Sequence, residues 1–415
     1  MTSSHEKPGF WNRLPKAFES LKYPNYRNFW FNEGISLIGL WMQMIAQGWL
    51  VYEITGSKFL LGMINTIAGL PVIFFTPIGG IIADRYNKKD LLILTQIVFA
   101  ALSFLIGFLV YTGGVNFTNL AVIVFLIGIA NSIDSPTRQS FVAELVGPRS
   151  LGNAIALNSL AFNTARMIGP AIAGYIIGIV GIESCYFINA ATFLGVIIAL
   201  LLLKGDFSPK AKKDTSARAA FIEGLKYILE DKKVLFSLCL VAFTSIFVMP
   251  YAILMPVFAK DIFHAGAQGL GTLMAFSGFG ALTGAFMLAH FSGRIDLKKT
   301  IFISTFTIAA ALLMFSVSRI FFVSLLALAV LGWSIVSQAA SINTYIQNEV
   351  PNSLRGRIMS FYVLSFMGLM PVGSFQAGLM AHYFGASAAL ALGAFVSLVP
   401  MSLLLIFQAV KKVKY

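Results

Sequence analysis

Apolar residues in this chain do not alternate with polar ones; they run. Stretches of about 20 predominantly apolar residues recur from one end to the other, each closed off by a polar loop. That is the length at which a helix crosses the roughly 30 Å hydrocarbon core of a bilayer. A segment in that core must satisfy its own backbone hydrogen bonds, which leaves helices or closed barrels. Barrel strands would alternate with a period of two, so continuous runs predict helices. Twelve spans are expected, at about 29–51, 59–82, 91–111, 120–141, 153–179, 184–203, 234–258, 269–290, 300–317, 320–344, 357–382 and 387–409. The fold class that follows is an all-α membrane protein with 12 transmembrane helices.

Composition agrees. The 415 residues are 58% hydrophobic and only 11% charged, against roughly 25% charged in a soluble protein. No cleavable signal sequence is expected before the first span. Residues 1–28 are polar and basic, and the first apolar run is too long for a signal core.

A net charge of +13 would suggest nucleic acid in a soluble protein. Its distribution points elsewhere. Counting alternate loops from the N-terminus as one side, that side holds 26 of the 30 Lys and Arg residues, and the other holds only Lys58, Lys260 and Arg319. The remaining one, Arg166, lies inside a span. Such a bias predicts that both termini are cytoplasmic, in a multi-pass protein whose partner is the lipid bilayer and not nucleic acid.

The longest polar segment between spans, 204–233, carries eight of the basic residues and divides the chain. The expected organisation is an N-terminal cytoplasmic segment (1–28), a first six-helix bundle (29–203), a linker (204–233), a second six-helix bundle (234–409) and a short tail (410–415). Within the linker, Pro209 to Ser216 reads as flexible. About 217–231 reads as an amphipathic surface helix, with Phe221, Leu225 and Ile228 on one face. An internal repeat supports the division. At an offset of 204 residues Gly152 meets Gly356, Gly169 meets Gly373 and Gly174 meets Gly378. Two parallel six-helix halves related by an axis along the membrane normal are the architecture such a repeat implies.

Several chemistries are excluded. Cys185 and Cys239 lie in different halves and make no disulfide framework. The four histidines are scattered, with no metal-ligand spacing, so no metal or cofactor is expected. There is no phosphate-cradling loop for an ATPase and no nucleophile–base set for an enzyme. Any work must draw on an ion gradient, the membrane potential or the substrate's own gradient.

Residues 79–89 read Gly-Gly-Ile-Ile-Ala-Asp-Arg-Tyr-Asn-Lys-Lys, between two apolar runs. This resembles the loop joining helices 2 and 3 of major facilitator superfamily transporters, Gly-x-x-x-Asp-Arg-x-Gly-Arg-Arg. Gly80, Asp84, Arg85, Lys88 and Lys89 match. Asn87 replaces a Gly, and Asn tolerates the left-handed backbone expected of a tight turn there. The resemblance implies a conformational gate in which Asp84 faces the start of the eleventh span, near Gly356–Met359. Gly169-Pro170-x-x-x-Gly174 resembles the antiporter motif of the superfamily's exporters. Asp134-Ser-Pro-Thr-Arg138-Gln together with Asn158 to Pro170 is similar to the branch that holds enterobactin exporters and drug and macrolide efflux proteins. That resemblance implies two pseudo-symmetric six-helix bundles, rocker-switch alternating access, a bacterial inner-membrane location and a monomer.

Charges inside spans are the candidate chemistry, since each costs several kcal/mol unless it faces protein or water. Arg166, midway along the fifth span, shares a face with Ser159, Asn163 and Pro170 and is expected to bind or couple to a carboxylate. Glu33 lies on a stripe with Ser36, Gln43 and Gln47. Asp134 and Arg138 are four apart, acid first, the favourable order for a helical pair. Glu33 and Asp134 are therefore candidate proton carriers and candidate partners for Arg166. The second half lacks such charges. Gln338 occupies the repeat position of Asp134, on a neutral stripe with Ser334, Ser341 and Tyr345. Substrate contacts are expected from Arg166, Asn163, Arg138, Gln43, Gln47, Gln338 and Tyr345, and from Phe and Met side chains of the second half such as Phe243, Met255 and Phe279. The expected function is secondary active export of an amphipathic small molecule (drug, siderophore or metabolite), coupled to proton antiport. The alternatives are an uncoupled or differently coupled facilitator of a lipid-like molecule or metal ion, or a membrane sensor or scaffold that does not transport.

Overall fold

The computed structural model describes residues 15–203, 205, 207, 217–291, 294–352 and 354–403. The segment before residue 15, the flexible reading at 209–216, the end of the last predicted span and the tail lie outside the described residues. Among those described there is no strand. The helices are α1 (Pro24–Thr55), α2 (Lys58–Arg85), α3 (Lys88–Tyr111), α4 (Phe117–Ile179), α5 (Ile182–Leu201), α6 (Ala217–Glu230), α7 (Lys232–Ile262), α8 (Gly266–His290), α9 (Leu297–Val317), α10 (Phe321–Glu349), α11 (Arg355–Phe384) and α12 (Ala386–Leu403).

All but α6 are long and apolar enough to cross a bilayer, which makes eleven. One of the eleven, α4, has 63 residues, about three times the crossing length, and is broken at Gly147, where φ is +69°. Its two arms hold the predicted fourth and fifth spans, so the eleven helices are consistent with twelve crossings. The expected loop at 142–152 is therefore helical on both sides of a single residue. Val142, Ala143, Glu144 and Leu145 can continue a helix, and only Gly147 takes the left-handed backbone that breaks it, followed by Pro148, a good first helical residue.

Helix starts are fixed by side-chain caps: Ser57 on α2, Asn87 on α3, Asn116 on α4, Asp231 on α7 and Asp296 on α9. Asn87 corrects an expectation. Its φ is −61°, not left-handed, and its side chain accepts from the backbone N–H groups of Lys89 and Asp90. Capping is what suits Asn to that loop. Two helices are irregular along their length. α7 has π-helical turns at Thr244–Val248 and Phe258–Ile262, around Pro250 and Pro256, and α11 has one at Leu364–Gly368, just before Pro371. Proline removes a ladder donor, and a wider turn re-pairs the carbonyls.

Helices α1 to α5 pack into one bundle and α7 to α12 into the other. The outside of both is apolar and uncovered (Phe286 is 71% exposed and Phe104 56%), as a lipid-facing surface must be. Glycines set how the bundles meet. A Cβ built on Gly174 would come within 2.9 Å of the Gly271 Cα, and one on Gly378 within 2.9 Å of the Gly62 Cα. Two near-identical seams result, α4 against α8 and α11 against α2. The other repeat pairs match as well. Gly169 is pressed against Trp41 and Ile38 of α1, Gly373 against Ile246 of α7, and Gly152 and Gly356 both face open space. The 204-residue repeat is thus a repeat of packing environment.

Most of the basic residues lie on one face of the molecule, and the seams belong to the opposite face. Going from that opposite face inward, α2 and α11 touch through Gly62, Thr66 and Gly69, the last two on Pro371. Further toward the basic face, the α2 stripe continues to Gly80, which meets nothing within 4 Å, and the α11 stripe to the exposed Met367, Ser360 and Gly356. The α4–α8 seam behaves alike. It closes through Gly178, Gly174 and Arg166–Met167, then gives way to exposed Ser159, Ala156 and Gly152. The same helix faces that pack near one surface part near the other, leaving a cleft toward the basic face.

Candidate functional site

The charged centre lies in the N-terminal bundle. Asp134 of α4 is buried and accepts four hydrogen bonds: from Thr95 Oγ1 (2.7 Å) and Gln96 Nε2 (3.0 Å) of α3, and from Arg138 Nε (2.9 Å) and Nη2 (3.0 Å). Arg138 also reaches α1, where its Nη1 donates to Glu33 Oε2. Two carboxylates thus share one guanidinium, at 16% side-chain exposure for Glu33, 21% for Arg138 and 6% for Asp134. Breaking such a partly dry group by removing one member leaves an uncompensated charge.

The C-terminal bundle carries a neutral copy of this centre. Gln338 of α10 accepts from Thr244 of α7 and donates to Thr305 of α9, both at 2.8 Å. Each hub ties together three helices of its bundle, but only one hub is charged. Gln338 is buried, with both its oxygen and its nitrogen engaged inside the bundle, so the expectation that it touches substrate does not fit its position. Tyr345 is likewise packed in the bundle core with Lys298 over its ring, away from the cleft. Met255 is also core. Gln43 is held by Asn189 of α5 at 2.6 Å. Gln47 is half-buried without a hydrogen bond among the described residues. Asn163 donates to the Ser159 carbonyl one turn back.

Arg166 does not pair with Glu33 or Asp134, which the nearer Arg138 occupies. Its Nη2 donates to Tyr251 OH of α7 at 3.4 Å, and its guanidinium carbon lies 5.9 Å from the ring centroid of Trp41 on α1. No carboxylate of the described residues is within ion-pair distance of it. Tyr251 OH also shares a hydrogen bond with Ser277 of α8.

The loop motif divides in two. Lys88 pairs with Glu144 at 2.7 Å, and Lys89 Nζ donates to the carbonyls of Leu201 (3.4 Å) and Leu203 (3.2 Å). Both clasp α3 to α4 and α5 inside one bundle. Asp84, Arg85 and Gly356 are exposed at the mouth of the cleft. At the opposite face, Tyr52 OH donates to Asp261 across the bundles, with Lys260 Nζ 5.7 Å from the Tyr52 ring centroid. Sequence reasoning did not single out Tyr52, Tyr251 or Trp41. Nothing in a local pattern distinguishes an aromatic at a seam from one facing lipid.

Two helical bundles that span a membrane around a central cleft, with charges buried inside one of them, are the architecture of the major facilitator transporters. More particularly, the chain belongs to the transmembrane secretion effector family, whose model matches residues 16–415. It is similar to the staphyloferrin A transporter of Staphylococcus aureus (strain NCTC 8325 / PS 47), 24% identical over 86% of this chain and 89% of that protein. The macrolide efflux protein A of Streptococcus pyogenes is 24% identical over 88% of this chain and 92% of its own. The enterobactin exporter of Citrobacter koseri is 21% identical over 81% and 80%. Among solved structures, the nucleoside transporter NupG superposes with a TM-score of 0.71 over 92% of this chain and 99% of its own, at 14% identity, a likeness of fold.

Proposed function

We propose that this protein is a bacterial inner-membrane secondary exporter that exchanges protons for an amphipathic small molecule by rocker-switch alternating access. Its relatives are named for siderophore, macrolide and drug export. The positive-inside rule assigns the basic face, with both termini, to the cytoplasm. On that assignment the cleft is inward-facing. The protein is taken to act as a monomer.

The observation that carries the coupling is the Glu33–Arg138–Asp134 triad. Two carboxylates and one guanidinium leave one excess negative charge, which a single proton neutralises. Asp134 has its oxygens filled by donors, so it anchors the triad. Glu33 has one oxygen on Arg138 and the other without a partner among the described residues, so Glu33 is the proton carrier. With the proton, the triad is neutral. Without it, the excess charge favours a wet cleft. Asp84, with Gly80, Arg85 and Gly356 around the mouth, closes the cytoplasmic side in the other half of the cycle, where a carboxylate is favoured at the N-terminus of α11.

The test is accumulation of dyes, antibiotics and siderophores in an export-deficient bacterium, with wild type and Glu33→Gln at matched membrane levels. Wild type is expected to lower accumulation of at least one compound, and both a protonophore and Glu33→Gln are expected to abolish that effect. Export that persists with the protonophore would sink proton coupling. No change for any compound would sink export.

A further inference from the structure

We propose that Arg166 is the anion-binding point of the substrate site, and that the transported molecule carries a carboxylate beside a flat apolar or aromatic body. The inference rests on the export reading for its setting, but the chemistry comes from the residues. Arg166 sits where the α4–α8 seam ends. The Gly278 Cβ position is 2.7 Å from its carbonyl oxygen, and one turn toward the basic face the cleft is open, with Phe162 42% exposed. It is therefore at the floor of the cleft.

No carboxylate among the described residues meets its charge. The only acids within the body of the spans, Glu33 and Asp134, are bound to Arg138. The polar partner of Arg166 is a phenol at 3.4 Å, a marginal and neutral acceptor already engaged with Ser277. The Trp41 ring lies against the guanidinium, and its buried Nε1 has no hydrogen-bond partner among the described residues. A guanidinium with only a marginal neutral acceptor, next to an indole N–H with none among the described residues, is costly to keep in a low-dielectric interior unless something supplies the acceptor. A carboxylate does so. Its two oxygens match the guanidinium fork, and the Trp41 and Phe162 rings, edge to face at 5.6 Å, offer an apolar wall for the body attached to it. A cationic substrate would be repelled by Arg166, and a neutral carbonyl would supply an acceptor but no counter-charge.

Binding to the purified full-length protein tests this directly, with 2-naphthoate and 2-naphthamide as probes of one shape and two charges, followed by calorimetry. Wild type is expected to bind the carboxylate about tenfold more tightly than the amide, the usual worth of one charge-assisted contact. Arg166→Gln is expected to bind the two equally, Arg166→Lys to keep part of the preference, and Trp41→Phe to weaken naphthoate alone. Equal affinities in wild type, no saturable naphthoate binding, or a preference that survives in Arg166→Gln would each overturn the proposal. The wild-type comparison stands even if a variant fails to fold. Cellular accumulation, scored separately, tests the export reading. A carboxylate preference without export refutes export alone, and export without the preference refutes the anion site alone.

Discussion

Arg138 holds two carboxylates from two helices, and its loss would leave both without a counter-charge. Arg138→Met is expected to cost about 3–5 kcal/mol, the range for breaking a buried ion pair, and to lower the unfolding midpoint in detergent well below that of Glu33→Gln. Equal midpoints would mean the triad is too wet to matter for stability. Half of this centre was legible in the sequence. The Asp134–Arg138 pair follows from a spacing of four on one helix. The Arg138–Glu33 contact joins residues 105 apart, and no local pattern encodes which of two guanidiniums a distant carboxylate will meet. That is why Glu33 and Asp134 were expected on Arg166 and are found on Arg138. Asn87 teaches the same lesson on a smaller scale: the residue was right for its loop, but as a helix cap.

Among the elements, the glycine seams decide which face of the molecule can close. A valine at Gly174 would push its methyls into the Ala267 carbonyl and the Gly271 backbone, neither of which can yield like a side chain. Gly174→Val is expected to hold the opposite face apart. A cysteine placed at Tyr52, with Cys185 and Cys239 changed to Ser, should then react with a membrane-impermeant maleimide about tenfold faster, as a shift of ~1.4 kcal/mol between states gives. An unchanged rate would place the bistable contact elsewhere. The spans themselves were readable from their apolar length, and the repeat from three glycine pairs. That the break within α4 is a single residue was not, because a run of helix formers around one glycine looks like a loop when it is also polar.

For the molecule as a whole, the fold was visible in the sequence but the conformation was not. Both arrangements of the bundles use the same residues, and they differ only in which end of each seam is closed. Spin labels at Gly80 and Gly356, which line the two sides of the cleft mouth, are expected to report a long distance at rest and a second, shorter one when the basic face closes during turnover. A single distance under all conditions would remove alternating access.

The confinement of mid-membrane charge to one bundle has an electrical consequence. Glu33, Asp134, Arg138 and Arg166 all belong to the N-terminal bundle, and away from the helix ends the C-terminal spans hold no Asp, Glu, Lys or Arg among the described residues. The membrane voltage therefore acts on one half of the machine. With all four groups ionised, that half is neutral. On the proposed chemistry, a proton on Glu33 makes it +1, and an anion on Arg166 with Glu33 ionised makes it −1. A voltage negative on the basic side draws the first species inward and drives the second outward, by about 2.3 kcal/mol per charge per 100 mV over the full field, so both strokes of the exchange run downhill on the same potential.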